Sequence, residues 1–243
     1  MSRPVALVTG GGRGIGSAIC TRLAKDGYDI LLTYNTSSKP AEMLVDDIRG
    51  TEADALAVKV DCANQGEVDL LGIHPWMMRK IDVLIRNHGV YERLDAKELT
   101  MERLQSTMNT NFNGSVHVWS TIQQHLTDNA RVVVIGSQLG TKGSPHGADY
   151  AASKAALAVW ARSLALSIAK DGKRVNVIAP GYVDTDILSG DSQEKRSLRE
   201  NEVPLQRIGT PEDIASTVSF LVGPDSNYIT GAILHVNGGL YLP

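Results

Sequence analysis

Short apolar runs rich in β-branched residues recur along the chain: VALVT (5–9), DILLTY (29–34), ALAVKVD (55–61), DVLI (82–85), RVVVIG (131–136), RVNVIA (174–179) and AILHV (232–236). Continuous apolar runs of this length predict strands buried on both faces. Between them the apolar positions fall three and four apart, as at Ile15, Ile19 and Leu23 or at Leu157, Trp160, Ala161 and Leu164, which predicts helices with one buried stripe. Strand and helix alternate throughout, the pattern of a parallel sheet with helices on both faces. No repeat, low-complexity tract or linker divides the chain, so one domain over 1–243 is expected. Pro75 should interrupt the helix before the fourth strand. The long polar stretch 181–209 is expected to be a substrate lid.

Composition narrows the function classes. Across 243 residues the formal charge is −3, and no Lys/Arg-rich run offers a field for nucleic acid. Cys20 and Cys62 are the only cysteines; without a CxxC or a Cys/His cluster, neither a disulfide framework nor a metal site is expected. No apolar run approaches the ~20 residues of a membrane span, and the first residues lack a leader's apolar core. The expectation is a soluble cytoplasmic protein with no membrane partner.

The first strand runs into TGGGRGIG (9–16) and then a helix. In that context Gly10 and Gly12 allow a tight turn, Gly14 lets the backbone approach a pyrophosphate, and Gly16 lets helix and strand pack closely, with the helix N-terminus facing the anion. A dinucleotide site is the expectation. At the end of the second strand, TYNTSS (33–38) carries no acid to hold a ribose diol, while Arg13 is placed to pair with a 2′-phosphate. NADP(H) is therefore preferred, with NAD(H) as the alternative.

DYAASK (149–154) puts Tyr150 and Lys154 on one helix face. A phenol is a poor acid at neutral pH, and a neighbouring ammonium is expected to lower its pKa. Ser137 ends the fifth strand, where a hydroxyl can hold a substrate oxygen. Asn111 sits inside a helix whose interior disfavours it.

Together, the TGxxxGxG pattern and Asn111, Ser137, Tyr150 and Lys154 resemble the classical short-chain dehydrogenases/reductases, including 3-oxoacyl-carrier-protein reductases and free-ketone reductases. The resemblance implies a Rossmann-type doubly wound parallel seven-stranded sheet. It also implies ketone reduction, with Tyr150 as proton donor, Ser137 orienting the oxygen, Lys154 acting on the phenol and the ribose, and Asn111 holding a relay water. It further implies cofactor contacts at Ile15, Tyr34, Asn35, Asp61, Cys62, Asn87, His88, Gly89, Pro180, Gly181, Val183 and Thr185, and a homotetramer or homodimer.

Substrate contacts are expected from Gln138, Leu139, His146 and Tyr182. Carrier-protein reductases resemble one another in being basic where this chain has Asp128 and Asp171, so a small diffusible or polyketide-type ketone is preferred. The alternatives are a carrier-protein reductase, an NAD-dependent alcohol dehydrogenase and a nucleotide sensor without turnover. RNHG (86–89) departs from the family's Asn-Asn-Ala-Gly by placing Arg86 and His88 there. Arg86 is expected to brace the turn or face a phosphate, and His88 to turn away, stack on the adenosine end or shift the dinucleotide.

Overall fold

The computed structural model describes residues 3–243, so Met1 and Ser2 lie outside it. The seven apolar runs form β1 (Val5–Thr9), β2 (Asp29–Tyr34), β3 (Ala55–Lys59), β4 (Ile81–Arg86), β5 (Leu126–Ile135), β6 (Arg174–Pro180) and β7 (Ile233–Val236). Between them come α1 (Gly14–Lys25), α2 (Ser38–Arg49), α3 (Gln65–Gly72), α4 (Met101–Met108), α5 (Gly114–Ile122), α6 (Leu139–Lys142), α7 (Ala148–Ile168), α8 (Gln193–Glu202) and α9 (Pro211–Val222). The third strand stops before Asp61, leaving Asp61 and Cys62 in the following turn. The fifth starts earlier than its apolar pattern, pairing Leu126 with Ile81 across a register shift. Its polar Asp128 and Asn129 are exposed there.

All strands are parallel, in the order β3-β2-β1-β4-β5-β6-β7. Side chains alternate across the sheet with period two. Ala6, Val8, Val83 and Ile85 join the core under α1, α2 and α9, while Val5, Leu7 and Leu84 join the core under α3, α5 and α7. The same alternation sends Arg86 to the α5/α7 face. Pro75 acts as expected: α3 ends at Gly72, and Pro75 opens a short 3-10 turn to Arg79. Among the described residues, no helix is long and apolar enough to cross a membrane.

From β1 the chain winds outward through β2 and β3, then returns to add β4 on the other side of β1. The crossovers at this reversal leave a crevice beyond the strands' C-terminal ends, the usual ligand position in such sheets. Thr9 pairs with Arg86 at that edge, so the glycine loop and RNHG enter the crevice side by side.

Candidate active site

The glycine loop forms a cradle that larger residues would fill. A Cβ on Gly16 would overlap the Gly10 carbonyl oxygen and crowd the Asn87 side chain. Gly14 has a φ of +53°, and a Cβ there would lie 3.3 Å from Thr185 Cγ2. The loop therefore faces the segment after β6 that carries Thr185. Gly12 lies opposite Ser37, just beyond Tyr34 and Asn35. Arg13 precedes α1 without capping it by a side-chain hydrogen bond, and the first turn holds no acid, so the helix N-terminus suits an anion. Ile15 packs against the core beneath the loop.

The other expected cofactor residues occupy the same edge. Asn87 Nδ2 donates to the carbonyls of Thr9 (3.2 Å) and Gly10 (2.9 Å). The Asp61 carboxylate accepts from Ala63 N at 2.9 Å, and burial pushes the Cys62 thiol up to about 12. A Cβ on Gly89 would sit 3.1 Å from Asn111 Oδ1 and 3.4 Å from Lys154 Nζ. Pro180 O accepts from Gln138 N at 3.1 Å, and Gly181 N donates to Val236 O at 3.1 Å. Val183 bridges to Gly209. The dinucleotide fits this donor set and this cradle.

Asn111 lies in a π-helical turn, Asn109–Asn113, joining α4 to α5; such turns recur at functional sites. Its fully buried amide accepts from Val90 N (2.8 Å) and donates to Val90 O (3.0 Å) and Ser153 Oγ (3.0 Å). Those bonds use both ends of the amide. Tyr150 and Lys154 open α7, which Asp149 anchors: its buried carboxylate accepts from Thr107 Oγ1 (2.6 Å) and Arg103 Nε (3.1 Å). Burial opposes its ionisation, but these bonds and that from Tyr150 N outweigh it and lower its pKa. Arg103 also pairs with Glu92.

Burial dominates the electrostatics of the Tyr150–Lys154 pair. Burial pushes the Tyr150 phenol up to about 12; hydrogen bonding with Ser137 opposes the rise and Tyr91 adds to it. The Lys154 ammonium lies 5.5 Å from the phenol ring centroid and donates to Ile135 O at 2.9 Å. It is itself pushed down to about 8, by burial first and Arg86 second. Ser137 is thus the hydrogen-bond partner that opposes burial at the phenol.

Arg86 faces no phosphate and braces no turn: its side chain is fully buried, with the guanidinium 4.4 Å over the Trp160 ring. His88 turns inward. Its Nδ1 lies 2.7 Å from Thr9 Oγ1 and its Nε2 3.4 Å from Ser115 Oγ, while Ser115 Oγ donates to Asn111 O at 2.8 Å. Burial, Arg86 and Lys154, in that order, push its pKa down to about 3, so the ring is neutral.

The expected substrate contacts divide. Leu139 is half-buried beside Ser137, its N–H donating to Ser137 Oγ at 3.2 Å. His146 lies in the loop before α7, its Nδ1 3.9 Å from Asp95. Gln138 does not face a substrate: it is buried, and its Oε1 accepts from Asn237 at 3.2 Å. Tyr182 is also engaged, donating to Glu202 at 2.9 Å beneath the Arg199 guanidinium. Tyr91, which has no sequence pattern around it, packs edge-on against Tyr150 with centroids 5.0 Å apart and donates to His146 O at 3.1 Å.

A glycine-loop strand edge beside a half-buried tyrosine and a buried lysine defines an oxidoreductase of Rossmann type. Residues 10–241 match the family model described as enoyl-(acyl carrier protein) reductase. The chain is 32% identical to the 3-oxoacyl-[acyl-carrier-protein] reductase FabG of Staphylococcus aureus, covering 98% of both chains. It is 35% identical to the reductase MabA of Mycobacterium tuberculosis, covering 99% of this chain and 93% of that one. A Burkholderia cenocepacia short-chain dehydrogenase solved with NADP superposes at TM-score 0.91, with 34% identity over 98% of this chain and 97% of the other. A metagenomic blue fluorescent protein solved with NADPH superposes at 0.92, with 36% identity over 98% of each. The chain belongs to the classical short-chain dehydrogenase/reductase family.

Proposed function

We propose that the protein is an NADPH-dependent reductase of a small diffusible ketone, with Tyr150 as general acid. The observation that carries this reading is the convergence of Tyr150, Ser137 and Lys154 at the strand edge that also holds the glycine loop. Bound NADPH supplies hydride to the carbonyl carbon. The glycine loop and α1 hold its pyrophosphate, Asp61 and the Cys62 backbone its adenine, and Asn87 and Gly89 its adenosine side. Tyr150 and Lys154 hold the nicotinamide ribose, while Val183 and Thr185 hold the carboxamide. Arg13 takes the 2′-phosphate, and doing so competes with its exposed ion pair to Asp186 at 3.0 Å.

Ser137 holds the substrate oxygen, and Tyr150 delivers the proton to it as charge develops. Asn111, fixed by Val90 and Ser153, orders the route by which that proton is replaced. The segment 181–209 serves as the lid. It carries α8 and is tied internally by the Asp184–Arg196 pair at 2.8 Å and by Asp191 pairs to Lys195 and Arg199.

Tyr150→Phe is expected to abolish turnover while retaining cofactor affinity; undiminished turnover would overturn this assignment and leave a nucleotide sensor. Titrations should give tighter binding of NADPH than NADH, and a tenfold preference for NADH would favour an NAD-dependent dehydrogenase. A second reading, reduction of a 3-oxoacyl thioester on a carrier protein, draws on the similarity to FabG and MabA. Exposed Asp128 and Asp171 disfavour docking of an acidic carrier. The two substrates separate by kcat/KM on a free ketone and on a carrier-bound thioester.

A further inference from the structure

Two buried cations adjoin the same end of β5, and only one belongs to the set already assigned: Arg86 pairs with Val134, and Lys154 reaches the carbonyl of the next residue, Ile135. Arg86 is 1% exposed, and its Nε, Nη1 and Nη2 have no hydrogen-bond partner among the described residues. The guanidinium lies 4.4 Å over the Trp160 ring, which meets Trp119 edge-on at 6.3 Å. Lys154, on the same helix as Trp160, is 4% exposed and donates to the Ile135 carbonyl.

Among the described residues, neither cation pairs with a carboxylate. The two buried carboxylates are committed elsewhere: Asp29 to Arg3 and Arg79, and Asp149 to Arg103 and Thr107. The ionisable groups acting on the pair are Cys62 after β3, His88 after β4 and Tyr150 on α7. Beyond them lie His117 on α5, whose Nδ1 is 3.3 Å from Cys62 O, Tyr91 against Tyr150, and Asp61 and Glu67, which act on the Cys62 thiol.

We propose that Arg86 is a positioning residue for the reduction: a second buried cation that acts through Lys154 and sets the charge state in which the Tyr150–Lys154 pair works. The proposal rests on the assignment of Tyr150 as general acid. Two like charges in a poorly solvated interior repel strongly, and a buried charge without a partner is costly. Burial pushes the guanidinium down to about 9, which keeps it charged at neutral pH, so the lysine yields first. Burial together with Arg86 brings Lys154 to about 8. The negative charge that develops on the phenol and substrate oxygens is then the counter-charge the two cations lack. The Lys154 ammonium lies 5.5 Å from the phenol ring centroid, so the two groups are expected to titrate together, and both apparent pKa values should rise when the second cation is removed.

The test compares wild type with Arg86→Met, which removes the charge at similar volume, and Arg86→Lys, which keeps a cation. Arg86→Asn, the residue expected from the family resemblance, serves if the methionine variant does not fold. Carbon-13 NMR of labelled lysine follows Lys154, its signal assigned by loss in Lys154→Met. The pH dependence of kcat/KM is measured with NADPH and ethyl acetoacetate.

In the methionine or asparagine variant, the Lys154 titration and the alkaline limb should both move up by about 1 pH unit, a tenfold change in the equilibrium. In Arg86→Lys both should stay in place. An unmoved Lys154 titration in a folded neutral variant overturns the proposal, as does a moved titration with an unmoved alkaline limb. Failure of the underlying assignment is seen separately, as turnover that survives Tyr150→Phe, and the NMR titration still reads the effect of Arg86 on Lys154.

Discussion

His88 shows what one bulky residue does at a position where a small one is expected. Its ring fills the space between the end of β1 and the start of α5, linking Thr9 to Ser115 and, through Ser115, to the Asn111 carbonyl. That placement requires the neutral ring. In the unfolded chain an imidazole titrates near ~6.5, whereas in the folded protein the pKa is about 3. Between these values the unfolded state binds more protons, so stability is full above the higher value and is lost as pH falls toward the lower. Urea unfolding at pH 7 and pH 5 should therefore show a smaller loss of stability on acidification in His88→Ala than in wild type. Equal losses would mean that His88 is not the titrating group. Because His88 Cα lies against Gly10, the same variant should change NADPH affinity more than turnover.

At the scale of elements, what was legible depended on whether the signal was local. Strands and helices followed from runs and spacings, and Tyr150 and Lys154 from one turn of α7. Arg86 could be placed on the α5/α7 face by alternation alone, but its burial beneath Trp160 depends on two segments far apart in sequence. Tyr91 stands in a loop with no periodicity, and the anchoring of Asp149 by Arg103 joins α7 to α4. The expected role of Lys154 beside the phenol followed from spacing, while the burial that raises the phenol pKa is contained in no local pattern.

The start of α9 shows a local signal that is complete. Thr210 Oγ1 accepts from Asp213 N at 3.4 Å, the Asp213 carboxylate accepts from Thr210 N at 2.8 Å, and Pro211 opens the helix. Hydrogen bonding from Arg207, and then from Thr210, holds Asp213 at about 2. Its contribution is present above an ordinary carboxyl pKa of ~3.9 and is lost as pH falls toward the folded value. Thr210→Ala should cost about 1 kcal/mol and lower Tm by roughly 2–4 °C, with kcat unchanged. An unchanged Tm would show that the cap contributes nothing to α9.

For the whole molecule, α7 joins the site to the outside. Its inner face buries Leu157, Ala161 and Ala165, while Val159 and Leu166 are 61% and 84% exposed. Those two residues lie two helical turns apart, so they form one outward apolar stripe. The Trp119–Trp160 pair is on the flank of the same helix, with Arg86 beneath it. A homotetramer or homodimer that covers this stripe would clamp Trp160, and with it the cation behind Lys154. Sedimentation should then give a multiple of the 26.1 kDa chain mass. Leu166→Glu, which buries a charge in any such contact, should shift the protein toward single chains while circular dichroism stays native. If assembly holds Trp160 in place, turnover should fall with dissociation and recover as protein concentration rises; a wild type that sediments as single chains with full activity would rule that coupling out.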